Sequence, residues 1–207
     1  MHRCFICFKK EDSYYKDLIA AKLEELGIPV NVLDKTIDSD DIDYVIQQIR
    51  DNYMNNTTVT LFLIGSHSSE DEGVDAFGYN HQSFIIRELR ATLYDREGNP
   101  RDGLLGIVLP NMYNRVFQGS YECPHCHQMI NSVKIDCSTT IKEFCENYYL
   151  LADECGHYSE DGRFCVLAKY NDFINNPKQY IEKAYEKTKQ PISKKVHYKD
   201  ITHRGKI

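Results

Sequence analysis

The segment Thr58–Leu89, TVTLFLIGSHSSEDEGVDAFGYNHQSFIIREL, decides how this chain folds. It begins with a continuous apolar run, Val59–Ile64, which predicts a buried strand. The run ends in the tripeptide Gly65–His67, whose small or polar residues suit a ligand site. Parallel α/β sheets bind ligands beyond the carboxyl ends of their strands, so this tripeptide marks the edge where a site is expected.

A helix follows the polar loop after this strand. Phe84 and Glu88 are four positions apart, so a helix brings both side chains to one face. From the order of the elements, we expect Glu88 to lie near the carboxyl edge of the sheet. The sequence therefore predicts an active site that uses a single acidic group.

The bulk composition limits the class of protein. The chain has 207 residues, 42% of them hydrophobic, which is enough for one domain with a core. Its net charge of −6 gives no electrostatic support for nucleic-acid binding. No segment approaches the roughly 18 apolar residues of a membrane span, and no leader pattern opens the chain. Because eight cysteines without a secretion signal favour a reducing compartment, we expect a cytoplasmic protein.

Apolar periodicity predicts strands that alternate with helices. The second helix is expected to have Ser39 as its N-cap and to bury Ile42, Val45, Ile46 and Ile49. This alternation predicts an α/β, flavodoxin-like three-layer sandwich around a mainly parallel five-stranded sheet. Strands are expected at residues 4–8, 29–33, 59–64, 104–109 and 164–167, and the other helices at about 13–26, 82–94, 141–151 and from Pro177 onward.

The periodic pattern fails between residues 111 and 161, where cysteine, histidine and polar residues dominate. We expect one domain over residues 1–190, with residues 111–161 as a Cys/His-rich insert before the last strand. Residues 191–207 form a basic tail.

The insert contains a candidate metal site. Cys123 and Cys126 have the CxxC spacing that presents two thiolates to one tetrahedral metal ion. Cys155 and His157 can complete a structural zinc site, with Cys137, Cys145 and Cys165 as the other candidates. The string is also formally the CxxCH haem-attachment pattern, which requires export, and it is not at the strand-to-helix turn of a thioredoxin-type redox pair. Free thiols in a partner-binding insert are the remaining alternative.

Four segments carry a resemblance to a known family. FICFKKED (5–12), NNTTVTLFLIGSHSS (55–69), FIIREL (84–89) and KYNDFINNPKQYIEKAYEKT (169–188) resemble the TIR-like domains of the Thoeris ThsB type, from bacterial anti-phage defence. The resemblance implies a TIR-like, flavodoxin-like fold and cleavage of NAD with release of nicotinamide. It also implies an ADP-ribose-derived, cyclic signalling nucleotide, a downstream effector that reads this nucleotide, a phage-derived trigger and homodimer formation.

The same resemblance assigns roles to individual residues. Glu88 takes the position of the family's catalytic glutamate. Phe84 stands where the family often has tryptophan, and Cys7 precedes Phe8 where serine before an aromatic residue is usual. The residues that fall in the nucleotide pocket are Phe8, Lys9, Asp34, Ser66, His67 and Phe84.

Structural explanations compete with each of these roles. Glu88 is then a solvated helix residue paired with Arg87 or Arg90, and Asp34 is a turn-capping aspartate. Lys9 and His67 are then a solvated lysine and a loop-capping histidine. The residue pattern of Cys7 favours a buried strand position over a nucleophile.

Two other functions remain open from the sequence. The chain could be a non-enzymatic TIR-like interaction module that signals by assembly, with the insert as its partner surface. A flavodoxin-like phosphate-binding or response-regulator-like domain is disfavoured because the first strand does not end in an acidic cluster.

Overall fold

The structure is a computed structural model that describes residues 2–33, 37, 39, 41–74 and 81–198. The strands within these residues are β1 (Cys4–Cys7), β2 (Val30–Val32), β3 (Val59–Ile64), β4 (Gly103–Val108), β5 (Phe117–Glu122), β6 (Met129–Val133) and β7 (Val166–Lys169). The α-helices are α1 (Ser13–Glu25), α2 (Ile42–Asn52), α3 (Ser83–Leu93), α4 (Tyr113–Val116), α5 (Lys142–Tyr148), α6 (Tyr170–Asn175) and α7 (Pro177–Lys189).

The central sheet has the order β2-β1-β3-β4-β7, and every neighbouring pair is parallel. This is the flavodoxin-like strand order, so the predicted five-stranded α/β fold is confirmed. The strand order reverses between β1 and β3, which is where such sheets bind ligands. The insert adds an antiparallel hairpin, β5–β6. The sequence did not predict it, because residues 111–161 have no regular apolar periodicity.

Alternate residues of the buried strands point to opposite faces, so the sheet has a hydrophobic core on each side. Helices α2, α3 and α5 cover the face that includes Phe5, Cys7 and Phe62. Helices α1, α6 and α7 cover the face that includes Ile6 and Leu63. Among the described residues, no helix has the length and apolar character that a membrane crossing requires.

Several local predictions differ from the structure. The N-cap of α2 is Asp41 instead of Ser39, since the Asp41 carboxylate accepts a hydrogen bond from the Tyr44 N–H at 3.1 Å. Ile42 is 44% exposed because it begins the helix ahead of the buried stripe. The last strand is β7, two residues later than predicted, because Phe164 packs in the core before pairing with β4 begins.

A buried polar cluster ties the amino end of the sheet together. Asp102 is fully buried and accepts hydrogen bonds from Thr57 at 2.6 Å and Thr60 at 3.3 Å. Arg50, also fully buried, donates to the Asp102 carboxylate at 3.4 Å. Paired this way, each charge offsets part of the other's desolvation cost.

We expect Asp102→Asn to destabilise the protein by about 3 kcal/mol, because Arg50 then keeps a buried charge without its counter-ion. Chemical denaturation monitored by circular dichroism measures the free energy of unfolding. Asp95→Asn is the control, because the Asp95–Arg101 pair is partly exposed. Equal losses for the two variants would contradict this account.

Candidate functional site

Glu88 lies on the inner face of α3, where the helix packs against the carboxyl end of β1. Its residue exposure is only 6% although it is a carboxylic acid. The Cys7 thiol at the end of β1 hydrogen-bonds to the Glu88 carboxyl and also approaches the Ile85 carbonyl at 3.9 Å. Cys7 itself is fully buried, which confirms the prediction that it is a strand residue of the core.

The surroundings of Glu88 favour its neutral form. Burial raises the pKa of the Glu88 carboxyl to about 8, and the hydrogen bond from Cys7 lowers this pKa only in part. Oε2 of Glu88 has no hydrogen-bond partner among the described residues. Arg90 pairs with Glu143 at 2.8 Å. The alternative in which Glu88 is a solvated, ion-paired helix residue is therefore wrong.

The loop after β3 is tightly bonded to its neighbours. The Ser68 hydroxyl accepts a hydrogen bond from the Gly65 N–H at 3.0 Å, which closes the turn. The Ser66 hydroxyl accepts one from the Asn111 side chain at 3.2 Å. His67 keeps a side chain that is 47% exposed, with Nδ1 3.5 Å from Glu72. Ser66 and His67 thus lie at the sheet edge, as predicted, and the His67 ring is accessible to a ligand.

A second carboxyl group, Asp12, lies at the same edge. The residue is 4% exposed, and its Oδ2 has no hydrogen-bond partner in the described parts of the chain. A methyl group on Gly65 would lie 2.2 Å from this oxygen, so only glycine leaves room for the carboxyl. Burial raises the pKa of Asp12 to about 6, and the nearby His67 and Lys9 side chains counteract part of that rise.

Sequence reasoning missed Asp12 because an acid at a helix start looks like an ordinary N-terminal residue. The signal available in the sequence was the glycine at position 65, whose missing side chain makes space for the carboxyl. Two buried carboxyl groups, Glu88 and Asp12, thus lie at this edge, and the use of a single acidic group in an active site stays a prediction.

The remaining predicted pocket residues divide into three groups. Lys9 donates to the His81 carbonyl at 2.6 Å, so it links the end of β1 to the start of α3. Phe8 is half-buried beneath the Lys16 ammonium, and Phe84 is 51% exposed on α3. Asp34 lies outside the described residues.

Hydrogen bonds join three elements at this edge. Lys9, after β1, donates to the His81 carbonyl before α3. The Gln82 side-chain amide, at the start of α3, donates to the His67 carbonyl after β3 at 2.8 Å. The ends of β1 and β3 and the beginning of α3 therefore meet at the reversal of the strand order. A cavity of about 720 Å³ lies elsewhere, between the β5–β6 hairpin and edge strand β7. We place the candidate site at Glu88 because the buried carboxyl groups are there.

The four predicted metal ligands come together in the insert. The ligand atoms of Cys123, Cys126, Cys155 and His157 all lie within 4.8 Å of one another. Such spacing fits a tetrahedral ion with metal–ligand bonds of about 2.0–2.3 Å. Backbone hydrogen bonds lower the pKa of the Cys123 thiol, which favours the thiolate that a metal binds.

Asp153 organises the second half of this Cys/His group. Its Oδ1 accepts the backbone N–H groups of Cys155 at 2.9 Å and His157 at 2.8 Å. Its Oδ2 lies 3.4 Å from Nδ1 of His157. A carboxylate beside the ring nitrogen is the usual means of orienting a metal-binding histidine. The arrangement is therefore a candidate metal centre with an outer carboxylate.

Comparison with protein families finds a match to the first part of the chain. Residues 5–76, 72 of the 207 residues, match the family model for the TIR-like domain of Thoeris protein ThsB. The matched residues include β1, β2 and β3 with the Gly65–His67 turn and end before α3. The predicted resemblance to a ThsB-type TIR-like protein is thereby confirmed. No curated protein matches the chain.

The raised pKa of Glu88 predicts a pH-dependent stability difference. The unfolded carboxyl loses its proton near pH 4.5, whereas the folded one keeps it until about pH 8. Because the folded state binds the extra proton in this window, stability falls as pH rises. We expect Glu88→Gln to stabilise the protein by about 3 kcal/mol at pH 7 and far less at pH 4.

Denaturation of wild type and Glu88→Gln across this pH range measures the difference in unfolding free energy. The exposed Glu24→Gln variant controls for the loss of one carboxyl group. A Glu88→Gln effect that stays constant with pH would show that the buried carboxyl is not protonated in the folded state.

Proposed function

We propose that the protein cleaves the bond between nicotinamide and ribose in NAD and makes an ADP-ribose-derived, cyclic signalling nucleotide. The observation that carries the proposal is a buried carboxyl, Glu88, without an ion-pair partner among the described residues, at the reversal of the strand order. The match to the ThsB-type TIR-like domain supports a defence role, with an effector that reads the nucleotide.

The bond cleavage needs one well-placed negative charge. As the C1′–N1 bond breaks, its electron pair goes to nicotinamide, which leaves neutral, and positive charge develops on the ribose. No acid has to protonate the leaving group. The Glu88 carboxylate stabilises the oxocarbenium-like ribose, and the low-polarity surroundings strengthen that interaction. An adenine nitrogen of the same molecule then forms a bond to C1′, and the adenine releases one proton to solvent, which gives the cyclic product.

Binding of NAD places a positive charge beside Glu88 and thereby favours the ionised carboxylate. The nicotinamide ring of NAD is cationic, and a cation beside a buried carboxyl lowers its pKa. The carboxyl that is protonated at rest therefore becomes an anion when NAD is bound. Lys9 and His67 lie at the same edge and are suited to the phosphates, while Phe8, Ser66 and Phe84 line the nucleotide.

Loss of the Glu88 charge should abolish turnover. We expect Glu88→Gln and Glu88→Ala to lower the rate of nicotinamide release from NAD by at least about 10³-fold. The wild-type kcat/KM should rise with pH and level off above about pH 8, where free Glu88 is ionised. Liquid chromatography of nicotinamide and mass spectrometry of the nucleotide products measure both effects.

Glu24→Gln is the control, since this carboxylate is exposed near the end of α1 and is not among the residues of the candidate site. Equal nicotinamide release by wild type and both Glu88 variants would remove Glu88 from its role. Self-association or partner capture that survives loss of Glu88, with no nucleotide product, would favour the non-enzymatic assembly module.

We also propose that the Cys/His group holds a structural zinc ion. Strand β5 is largely exposed and β6 is at most half-buried, so the hairpin has little apolar surface of its own with which to fold. Burial and the thiols of Cys126 and Cys123 raise the pKa of Cys155, and a divalent cation offsets this repulsion between thiolates. The ion ties the β5–β6 turn to the loop that contains Cys155.

Elemental analysis tests the zinc proposal directly. We expect one zinc per chain in the purified protein and its loss, with a lower melting temperature, in Cys155→Ser. Cys137→Ser should keep the zinc, because this exposed cysteine is not part of the group. A wild-type chain without zinc, or equal zinc in both variants, would contradict the proposal.

A further inference from the structure

We infer that residues 137–148 of the insert act as a strap that holds two parts of the candidate site, the loop after β3 and α3, and that Glu70 and Glu143 are the positioning residues of the two connections. The strap consists of the turn before α5 and α5 itself. It contacts the loop after β3 on one side and α3 on the other. The positioning role rests on the proposed function, whereas the strap is defined by its contacts alone.

The strap binds the loop after β3 through main-chain groups. The Cys137 carbonyl accepts hydrogen bonds from the Ser69 hydroxyl at 2.7 Å and from the Asp71 N–H at 3.2 Å. The Thr140 carbonyl accepts the Glu70 N–H at 3.3 Å. The donors of these hydrogen bonds belong to the same loop as Ser66 and His67. The strap therefore fixes the position of that loop.

The Glu70 side chain adds a hydrogen bond in the opposite direction, with the strap as donor and the loop as acceptor. Its Oε2 accepts the Lys142 N–H at 2.6 Å, at the first residue of α5. Because the acceptor is a carboxylate, this is a charge-assisted hydrogen bond, stronger than one between neutral groups. The loop after β3 and the start of α5 therefore fix each other's positions.

Glu143 connects the strap to the helix that carries Glu88. Its Oε1 lies 2.8 Å from both Nε and Nη2 of Arg90. The pair is mostly buried, with 13% of the Glu143 side chain and 21% of the Arg90 side chain exposed. Arg90 is two positions after Glu88 on α3, so this ion pair sets the rotation and depth of the helix at the carboxyl group.

The strap is rigid because α5 is seated in the core. Phe144 is fully buried and contacts the Phe62 ring with a centroid separation of 5.5 Å. A methyl group on Gly106 would lie 2.4 Å from the Phe144 ring, so the helix rests directly on β4. The Asn147 amide donates to the Glu143 carbonyl at 2.8 Å within the helix. A rigid strap can therefore set the distance between the loop and α3.

Two single substitutions separate the two connections. Glu143→Gln keeps the side-chain shape and should mainly lower kcat for NAD cleavage, by about tenfold, because Glu88 shifts from the reacting ribose. Glu70→Gln should mainly raise KM for NAD, by about tenfold, because the loop with Ser66 and His67 loosens. Hydrogen exchange should quicken in residues 83–93 for the first variant and in residues 66–72 for the second.

The charge-reversed double variant Arg90→Glu with Glu143→Arg tests the ion pair itself and should recover most of the lost kcat. Glu182→Gln is the control, since its partner, His2, precedes β1 at the opposite edge of the sheet. If Glu143→Gln and Glu70→Gln both had the kinetics and hydrogen exchange of this control, the strap would be refuted, even if their melting temperatures were lower. If wild type releases no nicotinamide, the proposed function fails, and the exchange measurements alone decide whether the strap exists.

Discussion

The desolvation of one carboxyl group is the constraint on which the site depends. Glu88 is buried between α3 and the end of β1, with a pKa raised to about 8. An ordinary structural glutamate would be exposed or paired, because burying a carboxyl without a counter-charge is costly. The fold keeps Glu88 in place through the hydrophobic packing of Ile85 and Leu89 on the same helix. A buried carboxyl group of this kind is typical of functional sites, where stability is lost in favour of function.

Asp12 is a second buried carboxyl group at the carboxyl edge of the sheet. Asp12 occupies the space left by the missing side chain of Gly65, so the turn after β3 and the start of α1 are shaped together. Lys9 and His67 counteract part of the rise in the Asp12 pKa that burial causes. The edge therefore combines two buried carboxyl groups with the side chains of Lys9 and His67, which suits the dinucleotide substrate that we propose.

The insert packs against two elements of the candidate site, the loop after β3 and α3. Its outer half consists of the largely exposed strand β5, the partly exposed strand β6 and the Cys/His group, whose members are buried or half-buried. Its inner half, including Phe144 and Tyr148, is part of the sheet's own core. A metal ion at the outer half would therefore order a segment whose inner half touches both the loop after β3 and α3.

The sequence by itself determined the five-strand α/β fold, the helix that carries Glu88 and the Cys123–Cys126 pair of the Cys/His group. These follow from local rules, because apolar periodicity and CxxC spacing are properties of neighbouring residues. Only the tertiary structure decided that Glu88 is buried, that Asp12 lies over Gly65 and that Glu143 pairs with Arg90. Burial and the choice of charge partner depend on residues distant in the chain, and no local pattern encodes the separation of their side chains.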